Sequence, residues 1–241
     1  MKRLMKVSAL AVALVASSSY VFADTIQFGS FATGAASLGN NNTATNFAGV
    51  SSLPTVSAGI GNTFTLNPGT PVWGGPIPGS TWVGFASTAG PVGTSNPAFG
   101  YYTFTTNFTA ASTGPYAGSL TLLADDTAEV ILNGNVLVPF GSLGDDAHCG
   151  SQGISCLIDQ TMPLSGISLL TGTNANTLTF VVEQAGTGPT GGTGDPSGLD
   201  FQGSLTSVVT STVPEPSTLM LFGTGLLGLA GAMYRRMRLH I

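Results

Sequence analysis

The stretch YYTFTTNFTA (Tyr101–Ala110) alternates with a period of two, and that period constrains the chain more than any other feature. Successive side chains of a strand point to opposite faces, so Tyr102, Phe104 and Phe108 share one face. Tyr101, Thr103, Thr105 and Asn107 take the other. No long 3.6-residue period competes with this pattern in the middle of the chain. GSLTLLA, DDT and AEVILNGNVLVPF follow, with Val130 and Leu132 alternating with Ile131. The Asn-Gly pair within Asn133–Asn135 suits a two-residue hairpin turn, whose central residues need positive φ. NTLTFVVE (Asn176–Glu183) and LDFQGSLTSVV (Leu199–Val209) complete the later strands. Roughly eight to ten short runs, punctuated by Gly and Pro, predict an all-β chain folded as a two-sheet sandwich or jelly roll. The segment Asn40 to Pro97 has a weaker pattern. Its NNNTATN and NPGTPVWGGPIPGSTW read as turn-rich connections, with short strands at Thr63–Leu66 and Trp82–Phe85. GTGPTGGTGDPSG (Gly186–Gly198) reads as a flexible hairpin connection.

Charge narrows the function classes. Only 7% of the residues are charged, against roughly 25% in an ordinary soluble domain. All six basic residues sit at the ends: Lys2, Arg3 and Lys6 at the start, and Arg235, Arg236 and Arg238 at the finish. From Asp24 to Pro214 there are eight Asp and two Glu against no base, a formal charge of −10. Without Lys or Arg the middle of the chain has nothing with which to displace counterions from phosphates, which excludes nucleic acid as a partner. Attraction to anionic lipid headgroups fails for the same reason.

The two ends speak of export. Lys2, Arg3 and Lys6 form a positive start, VSALAVALVA (Val7–Ala16) an apolar core, and Val21 and Ala23 a small-residue cleavage site. Residues 1–23 are therefore expected to be a signal peptide, removed by signal peptidase to leave Asp24 first. At the other end, Ser217–Tyr234 is an uncharged run that as a helix would reach ~27 Å, close to a bilayer's hydrocarbon core. A single transmembrane helix is expected there. Arg235, Arg236 and Arg238 follow as a cytoplasmic stop. Thr224, Gly228 and Ala232 form a small-residue face that suits an anchor tolerating lipid or a close helix pair. Before the run stands Pro214-Glu215-Pro216, whose prolines hold the backbone extended and stiff.

VPEPST, an apolar run with GTGLLGLAG, and an Arg cluster near the end together resemble the bacterial PEP-CTERM sorting signal. The resemblance covers Val213 to about Arg238. It implies processing near Pro214-Glu215-Pro216 by an exosortase, a membrane-embedded transpeptidase-like enzyme. It also implies a Gram-negative bacterium that makes extracellular polysaccharide: the protein would pass transiently through the inner membrane and then reside at the cell surface or in the matrix. The expected organisation is thus 1–23 signal peptide, 24–212 exported β-sandwich domain and 213–241 sorting segment.

Two groups of residues in the middle invite chemistry. Cys149 and Cys156, in HCGSQGISC, are the only cysteines, and an exported pair is expected to be a disulfide. His148 beside them matches no standard zinc spacing. ADDTAEVILNGN places Asp125 and Asp126 between two strands, with at least one carboxylate expected to point from a loop. Oxygen ligands of this kind are what Ca²⁺ prefers. The segment Ala124–Asn135 resembles the Asp-Asp entry to a strand in protective-antigen-like lectin sandwich domains, including flocculin-type adhesins. There the paired aspartates hold a calcium that coordinates sugar hydroxyls. Asp145, Asp146 and Asp200 are further ligand candidates, and a solvated turn in which Asp125 caps backbone amides is the competing reading. Trp73, Trp82, Tyr101 and Tyr102 suit either sugar stacking or the core.

Asp125, Asp126 and Glu129 lack a partner placed across a groove for glycoside hydrolysis. No Gly-x-Ser-x-Gly elbow is present either, so no catalytic residue is assigned. The expectation is a non-catalytic structural or interaction protein of the exopolysaccharide matrix or biofilm. A calcium-assisted carbohydrate-binding module is the alternative, and a secreted glycoside hydrolase ranks third.

Overall fold

A computed structural model describes residues 23–30, 41–51, 61–94, 97–143, 149–185, 195–208 and 216–238. The strands run in chain order as β1 (Thr25–Gly29), β2 (Asn41–Ser51), β3 (Gly61–Thr65), β4 (Val83–Gly84), β5 (Gly100–Ala110), β6 (Tyr116–Asp125) and β7 (Thr127–Leu132). They continue as β8 (Asn135–Val138), β9 (Ser142–Leu143), β10 (Gly150–Gln152), β11 (Gln160–Ile167), β12 (Gly172–Gln184) and β13 (Gly198–Ser207). Among the described residues one helix, α1 (Pro216–Arg238), follows the strands. Phe22–Val208 forms one compact unit, and the helix belongs to another.

Strand pairing is antiparallel, as expected of an all-β chain built from hairpins. The ladder runs β11-β6-β13-β4-β3-β2-β5-β12-β7-β8, with β1 on β13 and a separate β9–β10 ribbon. Its two halves face each other as a sandwich. Phe180 of β12 meets Phe201 of β13 with ring centroids 4.2 Å apart, and Phe28 of β1 stacks on Phe108 of β5 at 5.6 Å. Alternation supplies this core directly: Tyr102, Phe104 and Phe108 are all buried, as are Leu120, Leu122 and Ala124 of β6. The short β4 joins the halves, pairing with β13 on one side and β3 on the other. The β7–β8 hairpin turns at Asn133 (φ 50°) and Gly134 (φ 83°), the left-handed pair that the Asn-Gly sequence favours.

Two expectations need correction. The asparagine-rich stretch read as a connection is β2, an eleven-residue strand pairing with β3 and β5. Weak intrinsic propensity is overridden there because two neighbours offer ladder partners on both sides. The strands flanking Gly186–Gly198 do not pair as a hairpin: β12 pairs with β5 and β7, whereas β13 pairs with β6, β4 and β1. Residues 186–194 lie outside the described residues. The tail is expected to cross a membrane as a single helix. It is helical over Pro216–Arg238, with Pro216 at the first position, where its missing N–H costs nothing. Among the described residues, however, no helix is long and apolar enough to cross a membrane.

The signal segment 1–22, Asp145, Asp146, His148, Pro214 and Glu215 lie outside the described residues. Arg235, Arg236 and Arg238 occupy the last turn of α1, where cations complement the helix dipole. The Arg238 guanidinium sits 5.2 Å from the Tyr234 ring centroid.

Candidate functional site

Alternation along β6 sends Leu120, Leu122 and Ala124 into the main core and Leu123 into a second, smaller cluster on the other face. Asp125 shares that second face. The cluster gathers Leu66, Trp73, Ile77, Trp82, Ala89 and Cys156 under the long loop that precedes β4. Trp73 and Trp82 stack with centroids 4.2 Å apart, and Trp82 Nε1 donates to Gly74 O at 3.0 Å. Both indoles are buried, so the core reading of these tryptophans holds. Tyr102 is buried too, with its O–H on Ala98 O, while Tyr101 donates to Glu183.

Asp125 is 1% exposed and Asp126 is 0% exposed. This overturns both the loop-pointing carboxylate and the solvated turn. Trp73 Nε1 donates to Asp125 Oδ2 at 2.5 Å, while Asp125 Oδ1 is buried without a hydrogen-bond partner. Ser197 Oγ donates to the Asp125 carbonyl at 3.3 Å. Asp126 Oδ2 accepts from Ala185 N at 2.6 Å, its N–H donates to Glu183 O, and its carbonyl accepts from Gly150 N. The Asp125–Asp126 peptide is cis. Burial first, and then the neighbouring Asp126 carboxylate, hold the Asp125 carboxyl well above the usual carboxylate range. The Trp73 hydrogen bond pulls the other way, and Asp195 adds a third negative field.

Cys149 and Cys156 are disulfide-bonded, as the export reading required. The loop they close is sewn down beside the carboxylates: Gly74 N donates to Cys156 O at 2.8 Å and Ala124 N to Ser155 O at 3.0 Å. One trio of metal-type ligand atoms within 4.8 Å of one another occurs among the described residues, Asp125 with Cys149 and Cys156. Sulfurs joined in a disulfide are not thiolates, so only the carboxylate in that trio can ligate. The oxygen set at Asp125 and Asp126 fits a hard cation: a buried oxygen without a donor beside a second carboxylate is a place where positive charge relieves a cost.

Asp200, a further ligand candidate, has donors on both carboxylate oxygens. Its Oδ1 accepts from Ser80 Oγ at 2.5 Å and Ser30 Oγ at 3.1 Å, and its Oδ2 from Ile77 N at 2.9 Å. It ties β13 to the loop before β4. Two buried polar residues escaped the sequence reading: Asp195, and Gln184, whose amide atoms are buried without a hydrogen-bond partner. Nothing in their local sequence marks them, since their burial comes from strands remote along the chain.

Residues 212–236 match the family model described as the PEP-CTERM protein-sorting motif. The chain carries a PEP-CTERM tail. That motif implies an exosortase as processing partner, and with it export and membrane-associated handling. The match lies wholly outside the β-domain. No curated protein matches the sequence. Among solved structures this chain is similar to a selenomethionine-labelled β-glucosidase from Kluyveromyces marxianus, at 15% identity and TM-score 0.26 over 44% of this chain. The same enzyme with glucose gives 12% identity and TM-score 0.28 over 68% of this chain. The chain spans only 11% and 15% of those two glucosidase chains. A family 29 carbohydrate-binding module is matched at 10% identity and TM-score 0.27, over 76% of this chain and 88% of that one. None of these likenesses says what this chain binds.

Proposed function

We propose that this is an exosortase-sorted surface protein whose β-domain serves a non-catalytic structural or interaction role in the exopolysaccharide matrix. The observation that carries this reading is the sorting motif at 212–236. A domain from Asp24 to Pro214 without a single Lys or Arg supports it, because such a domain stays clear of nucleic acid and anionic lipid. Intact mass of the protein recovered from its own cell surface tests it. The expected chain begins at Asp24 and ends near Pro214–Ser217. A chain still running from Met1 to Ile241 overturns the sorting reading.

A second reading, favoured by the buried Asp125–Asp126 pair, is calcium-assisted carbohydrate binding. In that reading Asp125 and Asp126 hold the cation, which supplies positive charge to draw sugar hydroxyls. Trp73 fixes Asp125 Oδ2, and the disulfide loop excludes water behind it. Calcium is then expected to raise the melting temperature of the wild-type chain, because a ligand of the folded state stabilises it by mass action. Asp125→Asn is expected to remove that response. Equal calcium shifts in both chains would end this reading.

A further inference from the structure

A concavity lies beside the β9–β10 ribbon. It has a volume of about 360 Å³ and sits between the end of β8, the β9–β10 ribbon and the start of β11. Phe140, Ile154 and Met162 form an apolar wall, and Ser142, Gln152 and Gln160 bring polar groups to it. Ser142 and Gln152 face each other across the ribbon, so a hydroxyl and an amide stand at one edge. Gln160 and Met162 are held on β11 by pairing with Leu122 and Leu120. The Phe140 ring is braced by Tyr101, with centroids 5.8 Å apart and planes at 60°. Among the described residues, none that lines the cleft carries an ionisable side chain.

We propose that this cleft binds one neutral sugar residue of an extracellular polysaccharide, without a cation. A pyranose presents a C–H face, which suits Phe140 and Met162, and hydroxyls that each need a donor and an acceptor. Glutamine amides and a serine hydroxyl provide both from the same side chain. The volume lies in the range of pockets that hold small ligands on an apolar wall with a few polar groups. Charge selects the class of glycan. A domain carrying −10 and no base repels uronate, sulfate and phosphate, and the uncharged lining offers no compensation.

Affinity electrophoresis of the full chain tests the site, through gels containing a neutral glucan, a neutral galactomannan or the uronic acid polymer alginate, run in EDTA and in parallel with calcium in its place. Retardation is expected in at least one neutral gel and not in alginate. Phe140→Ala and Gln160→Ala are each expected to weaken it about tenfold with unchanged melting. Migration unaffected by either neutral polymer overturns the proposal, as does retardation by alginate alone. Retardation that a natively melting Phe140→Ala chain retains does so too. Binding that appears only when calcium replaces EDTA assigns the sugar to the carboxylate pair and also overturns the cleft. The cleft and the calcium reading therefore fail separately.

Discussion

Asp200 shows how a buried carboxylate tied by three donors still acts on stability. Burial pushes its pKa up to about 6 from the ordinary 3.8, while the bonds from Ser80, Ile77 and Ser30 oppose the shift. Between those values the folded chain holds a proton that the unfolded chain has released. Stability from this group is therefore full below the ordinary value and lost as pH rises through about 6. On acidification from neutral pH the wild-type chain is expected to gain about 2–3 kcal/mol more than Asp200→Asn. Denaturant titrations of both chains at two pH values check this, and equal gains would place the effect elsewhere. Glycines divide in the same concrete way. A Cβ on Gly118 would stand 1.8 Å from the Ser204 carbonyl oxygen, backbone that cannot step aside without parting β6 from β13. Gly118→Ala is expected to cost about 3 kcal/mol or more. Gly134 has open space around its Cβ position, so Gly134→Ala carries only the left-handed backbone penalty of about 1 kcal/mol. Urea midpoints rank the two.

At the scale of elements, the loop from Cys149 to Cys156 does more than close on itself. It accepts Gly74 N through Cys156 O and Ala124 N through Ser155 O, and lends Gly150 N to the Asp126 carbonyl. Replacing both cysteines by serine is expected to cost about 2–3 kcal/mol by the loop-closure argument. Denaturation with and without reductant measures it: reductant should destabilise the wild-type chain and leave the double variant unchanged. Elements also differ in how legible they were. β5, β7, β12 and β13 were readable because their two-residue period is written in Tyr, Phe, Val and Leu. The β7–β8 turn was readable because Asn133-Gly134 meets a backbone demand locally. β2 was not, since an asparagine-rich strand exists only through its partners β3 and β5. The Cys149–Cys156 pair was legible from compartment and count, but its seat beside Asp125 was not.

The whole molecule carries one property that any fold would share. With no Lys or Arg between Lys6 and Arg235, trypsin has no site within the β-domain, folded or unfolded. Digestion of the reduced, urea-denatured full chain is expected to leave a single large fragment from Val7 to Arg235, visible by intact mass. Internal tryptic cleavage would contradict it. This follows from the sequence by itself, as do the all-β class and the sorting motif. Each depends on residue type, local order or net charge, which do not change when the chain folds. Only the tertiary structure decided that Asp125 and Asp126 are buried rather than solvated, that Trp73 holds one carboxylate oxygen, and that Asp200 is a tie. It also brought Phe140, Gln152 and Gln160 to one cleft. The physical reason is the same throughout: burial and hydrogen-bond partnership are set by strands and loops far apart in the chain. Trp73 reaches Asp125 across 52 positions, and Ile77 reaches Asp200 across 123.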